Sequence, residues 1–353
     1  MQRIDDIGWL GLGLSESKKF TLLDYGRLDR VITEMGDPTN QYPTLCVYMG
    51  GRSKDAGLRR LYPNNNIKRH ASTAEIKLRY DIDSLNTTRP VLFTDGDLKC
   101  MPSAYPSTKG RPKLERSISW DASSAEKVLY IIWARLVFLF ADVICVFAND
   151  FGDLLDVAGF LLECLSLQAP SSLPSAVRPR VIIVLEARLD GEQEDIQNVE
   201  QFYCKLHRDG PNLTEYFSAI HLIRLESSHL SESARYERLR ALIMGQLDDM
   251  CTVREDHRAL FNATHLGALF RLAFQHTAEG ICRPFDFVKA TRAQEEVPLS
   301  LSRSLAHYLE IGAKAGLRYE ELATSISSAL LMDHYIPGML GMTLPSMELD
   351  QCV

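Results

Sequence analysis

Three short stretches place charged or hydroxyl side chains directly after an apolar run, and each suggests a chemistry. Tyr48-Met49-Gly50-Gly51-Arg52-Ser53-Lys54-Asp55 closes the run TLCVYM. Glycines in such a turn let backbone N–H groups surround a phosphate, while a lysine and a hydroxyl meet the phosphate and Mg²⁺. Against the spacing GxxxxGK[ST], with Lys54 as the motif lysine, Ser53 replaces the second glycine and Tyr48 the first. Asp55 stands in place of the hydroxyl, and Gly50 and Gly51 fall at other offsets. VLFTDGDL over 91–98 offers Asp95, a carboxylate able to reach a metal ion, with Leu98 where a DxxG spacing needs glycine. VIIVLEARLD over 181–190 offers Asp190, able to accept two hydrogen bonds from a base, and Arg188, able to cover it. Ala187 and Arg188 replace the Asn and Lys of the pattern [NT]KxD. The plain alternatives are a glycine turn, an Asp-Gly turn and a polar loop.

Other clusters carry less. Gly11-Leu12-Gly13 begins like a dinucleotide fingerprint, but the third glycine is missing and no strand is expected before it. Asp81 and Asp83, two residues apart on a strand, share a face and could hold a cation; the alternative is a solvated strand end. His257, His265 and His276 are spaced by eight and eleven, and no HExxH occurs, so no zinc site is expected. No two of the eight cysteines lie within four residues of each other, which excludes a CxxC pair. Cys46, Cys145 and Cys164 sit in apolar runs as small hydrophobes, and the set suits a reducing, cytoplasmic setting. No catalytic residue is assigned.

With 46% apolar and 24% charged residues the chain is an ordinary globular one, and 353 residues suit about two domains or one large one. A formal net charge of −7 argues against nucleic acid as the main partner. The N-terminus shows no basic segment followed by a long apolar one, so no signal peptide is expected. Val128 to Phe147 has the length of a membrane span, but Arg135 and Asp142 interrupt it. The expectation is a buried helix running into a buried strand, with no transmembrane segment.

The elements that must position these residues follow from periodicity. A helix is predicted over Thr21–Met35, a buried strand over Thr44–Met49 and a short helix near Lys54–Leu61. Strict alternation over Glu75–Ile82, followed by PVLFT at 90–94, predicts an antiparallel pair. Residues 97–122, with three prolines and five basic residues, predict a mobile polar insertion. Helix and strand then alternate. Helices are predicted over Ser124–Phe138, Leu154–Leu167, Ile196–His207 and Ser233–Met250, and strands over Asp142–Phe147, Val181–Leu185 and Phe217–Leu225. Apolar strands alternating with helices indicate a mainly parallel six-stranded α/β sheet covered on both faces. Beyond residue 251 only helices are predicted, with Tyr308, Tyr319 and Tyr335 as packing residues and Phe285, Phe287 and Val288 as an anchor. The division is therefore a helical extension over 1–40, an α/β domain over 41–250 and a helical domain over 251–353.

This order of elements, with the three stretches at successive strand ends, resembles the P-loop GTPase fold in degenerate form. The resemblance covers about residues 40–250. It implies nucleotide contacts at Gly50, Gly51, Ser53, Lys54, Asp55, Asp95, Arg188 and Asp190. Asp55 and Asp95 would lie toward the metal, and GTP and magnesium are the implied cofactors. Separately, QYPT at 41–44, PNNNIKR at 63–69, RPVLFTDGD at 89–97 and FADVICVF at 140–147 are similar to the N-terminal region of large filamentous-fungal proteins that carry a patatin-like phospholipase domain further along. No GxSxG occurs, so the lipase chemistry does not transfer.

The expected function is a non-catalytic, GTPase-like regulatory or protein-interaction module. Its alternatives are a divergent nucleotide-binding NTPase and an accessory domain of a lipid hydrolase, which would then be the protein partner. The chemical reason is Asp55, which puts a like charge near polyphosphate oxygens where the pattern has a neutral hydroxyl. At about 4 Å and an effective dielectric near 20 that costs about 4 kcal/mol.

Overall fold

The computed structural model describes residues 7–14, 19–67, 75–96, 112–122, 124–167, 171–186, 192–210, 212–225, 230–280, 283–291 and 300–334. Nine strands form one mixed sheet: β1 Gly8–Leu14, β2 Phe20–Asp24, β3 Thr44–Met49, β4 Ile76–Tyr80, β5 Val91–Gly96, β6 Leu114–Ser117, β7 Val143–Phe147, β8 Arg180–Glu186 and β9 Ala219–Leu225, in the order β6-β2-β1-β4-β5-β3-β7-β8-β9. The helices are α1 Arg27–Glu34, α2 Arg52–Leu61, α3 Ala125–Ile132, α4 Phe138–Phe140, α5 Leu154–Leu167, α6 Glu192–Asp209, α7 Glu232–Asp256, α8 Ala263–Glu279, α9 Phe287–Thr291, α10 Leu301–Lys314 and α11 Tyr319–His334. A π-helical turn, Trp133–Val137, joins α3 to α4.

The six strands expected from apolar runs lie side by side as β4-β5-β3-β7-β8-β9. The β4–β5 pair is antiparallel and the other four neighbour pairs are parallel. The expected six-stranded, mainly parallel sheet is corrected by β1, β2 and β6, which extend it antiparallel beyond β4. Half of the neighbour pairs are therefore antiparallel.

Each added strand has a local reason for escaping detection. In β1 (GWLGLGL) three glycines dilute the apolar pattern, although Trp9, Leu10 and Leu12 are buried. β2 corrects the start of the helix expected over Thr21–Met35. Gly26 adopts φ +69, and the Asp24 carboxylate accepts from its N–H at 2.8 Å, so the chain turns there and the helix begins only at Arg27. The segment 1–40 is therefore not solely helical. β6 (LERS) lies inside the stretch expected to be a polar insertion. It is held by backbone pairing to β2, three of its four residues are exposed, and no sequence alternation announces it.

Helices cover both faces, as expected. Successive β3 side chains enter two separate cores: Leu45, Val47 and Met49 join the one under α3, α5 and α8, while Cys46 and Tyr48 join the one under α2 and α7. Val128–Phe147 is indeed a buried helix running into a buried strand. Among the described residues, no helix is long and apolar enough to cross a membrane.

The boundary placed near 251 falls inside α7. Past it, Arg254 reaches back with Nε 2.6 Å from Asp142 Oδ1, and Asp142 Oδ2 accepts from the Leu45 N–H at 2.7 Å. In α8, Phe270 packs on Trp9 with ring centroids 4.8 Å apart, and the anchor residue Phe287 stacks on Phe261. Residues 251–291 therefore share the core of the sheet. By contrast, α10 and α11 pack chiefly on each other, Gly312 lying against Leu322. Tyr308 and Tyr319 are exposed there rather than packed; Tyr335 lies outside the described residues.

Candidate functional site

Strand order reverses at β3, which has β5 on one side and β7 on the other. In open α/β sheets such a switch point leaves a crevice at the carboxyl ends of the strands, where ligands bind. The segment that leaves β3 there is the Gly50–Asp55 turn. Gly50 adopts φ +146, a conformation open mainly to glycine, and Gly51 starts α2 with no side-chain cap of its own. The first amides of α2 thus point into the crevice as free donors, at the positive end of the helix dipole.

Those amides are filled by the chain itself. β7 ends in a 3₁₀ turn, Ala148–Asp150, and this brings the Asp150 carboxylate onto the start of α2. Oδ2 accepts from Gly51 N–H at 2.7 Å and from Lys54 N–H at 2.9 Å, and Oδ1 accepts from Ser53 N–H at 2.9 Å. A Cβ at Gly50 would stand 2.6 Å from Asp150 Oδ2, so this glycine is needed for space as well as for φ.

The Lys54 side chain turns the other way, into the interior, and is only 3% exposed. Its Nζ lies 3.5 Å from Asp95 Oδ1, 3.3 Å from Asp55 Oδ1 and 3.4 Å from the Gly96 carbonyl oxygen. Asp95, also buried, is paired through Oδ2 with Arg79 of β4, and Lys77 stands directly across from it in the strand register. Burial alone would raise the Asp95 carboxyl, but Arg79, Lys54 and Lys77 outweigh it and hold the group below the usual carboxylate range. Burial pulls the Lys77 ammonium down, and Asp95 works against that shift.

Lys54 and Asp95 therefore converge, as a phosphate-and-magnesium site needs, but on each other in a closed cluster. Asp55 joins them, and Ser53 contributes a backbone N–H. Gly50 and Gly51 face the crevice. Arg188 and Asp190 lie outside the described residues. GTP with magnesium does not fit these groups as they stand. The cradle amides are bonded, the lysine is sealed and the Asp95 carboxylate is committed to cations. Asp81, one of the paired acids, is tied to Arg240 at 3.1 Å. Among the described residues, no group of three or more His, Cys, Asp or Glu side chains could hold a metal ion.

The turn opens onto a groove of about 650 Å³ between the starts of α3 and α5. Tyr130, Phe151 and Phe160 line it, and its charged residues are Glu126, Asp150, Asp156 and Glu163 against Lys127 alone. Such a surface repels polyphosphate.

Sequence reasoning missed Asp150, Arg79 and Lys77. For Asp150 a signal existed: it follows β7, the strand expected to run beside β3, at the end where a switch point gathers ligands. For Arg79 and Lys77 none did, since they occupy a strand whose register only the fold sets.

No protein-family model matches the chain, and no curated protein matches it. Among solved structures, the siderophore hydrolase EstB from Aspergillus nidulans is similar at 9% identity, over 69% of this chain and 96% of that chain, with a TM-score of 0.27. A score this low carries no argument about fold or activity.

Proposed function

We propose that this protein is a non-catalytic, GTPase-like regulatory or protein-interaction module whose phosphate-binding turn is closed by its own side chain. The observation that carries this reading is the Asp150 carboxylate on the Gly51, Ser53 and Lys54 amides. A nucleotide phosphate would have to displace it, draw Lys54 out of the interior and enter a groove that already carries carboxylates. The strand order around β3, with a glycine turn leading into a helix, supports descent from a P-loop architecture. An interaction role draws support from α10 and α11, where Ile311, Leu317 and Tyr319 are exposed. Isothermal titration with GTP and Mg²⁺ tests the reading. The expected result is no heat of binding and no turnover; micromolar binding with hydrolysis lost in Lys54→Ala overturns it in favour of a divergent NTPase.

A further inference from the structure

We infer that Asp150 is a tethered stand-in for a phosphoryl group, and that removing it uncovers a site for a single phosphate or sulfate group. The inference rests on the reading above, in that the intact turn takes no nucleotide. It goes further by assigning the turn a ligand class and Asp150 the part of an internal competitor.

Three features of the geometry point this way. The carboxylate is held as an oxyanion ligand would be: two oxygens, three backbone donors between 2.7 and 2.9 Å, at the start of a ten-residue helix. The donors are main-chain groups, so they persist when the side chain is removed. Gly50, Gly51 and Asp150 all line the groove, so the space freed by the carboxylate joins a cavity that already opens to solvent. An outside anion can therefore reach the amides once Asp150 is shortened.

The groove also sets the size of the ligand. Glu126, Asp156 and Glu163 line it against Lys127. Further phosphates beyond the first would meet like charge, so one tetrahedral anion suits the turn and a triphosphate does not.

The test compares wild type with Asp150→Ala in potassium phosphate and in potassium chloride of equal ionic strength at pH 7. In chloride the variant melts below wild type. Phosphate at about ten times its dissociation constant should raise the variant by about 2 °C or more and leave wild type unmoved. Sulfate should act as phosphate does. Equal responses of the two proteins, or no response in either, overturn the inference. Should Asp150→Ala fail to fold, Asp150→Asn keeps one acceptor for the turn. Its Gly51, Ser53 and Lys54 amide resonances should shift on phosphate titration while those of wild type do not; unshifted amides in the variant overturn the inference. Failure here with wild type still blind to GTP leaves the functional reading standing, whereas GTP–Mg²⁺ binding by wild type removes both.

Discussion

Asp95 and Asp150 stand at the same end of the sheet, on either side of β3, and the chain neutralises them in different ways. Asp95 is enclosed by side-chain cations, Arg79 and Lys54 in contact and Lys77 across the strand pair. Asp150 is held by backbone amides at the lip of a groove. The first arrangement is interior and rigid, since losing one partner strands another buried charge. The second is exchangeable, because water or another anion can take the place of the carboxylate. A site built for phosphate can thus be closed twice, once by burying its lysine and once by filling its amides, and only the second closure is open to reversal.

The sharpest way to break this comparison is Arg79→Ala. It leaves Asp95 buried with less compensation and should cost about 3–5 kcal/mol in urea unfolding. A loss below about 1 kcal/mol would mean that the cluster is not the interior lock described. A pH series sharpens it next. Asp95 has a folded pKa below its ordinary 3.8, so its stabilisation is present above that pH and declines as pH falls through the folded value. Asp24 shows the opposite sign: burial pushes its carboxyl up to about 6, outweighing the Gly26 amide bond. Relative to Asp24→Asn, wild type should therefore lose stability as pH rises from about 4 to 6, by up to about 3 kcal/mol. A flat difference curve over that window would contradict the burial argument.

Asp150→Ala should cost less, about 1–2 kcal/mol, because the freed amides face a solvated groove. The smallest effect is expected at α3, where Ser124 caps its own helix by accepting from the Lys127 N–H at 3.1 Å. Ser124→Ala should lower stability by about 1 kcal/mol, with no sensitivity to phosphate. Chemical denaturation reads both, and a phosphate response in the Ser124 variant would blur the distinction between a local cap and an anion site.

Those two caps also show why some features were legible in the residues and others were not. Ser124 precedes an apolar helical pattern by one position, and a hydroxyl there is a helix start by local chemistry alone. The strand TLCVYM, the helix Leu154–Leu167 and the antiparallel β4–β5 pair were readable for the same reason: neighbours in sequence share a face or a turn. β2 was misread because Leu22 and Leu23 continue the apolar spacing of Val31 and Ile32, while Gly26 ends one element and starts another. The boundary at 251 was misplaced because an absence of strands is not an absence of contact with the sheet, as Arg254 and Phe270 demonstrate.

Apolar runs and glycine punctuation were enough to specify which segments become the six central strands, that helices cover both faces, and that a glycine turn opens α2. Which carboxylate came to rest on that turn depended on β7 settling beside β3, which joins Ser53 to a residue 97 positions away. Backbone pairing and core packing make that choice over long separations, and no local spacing of residue types encodes it.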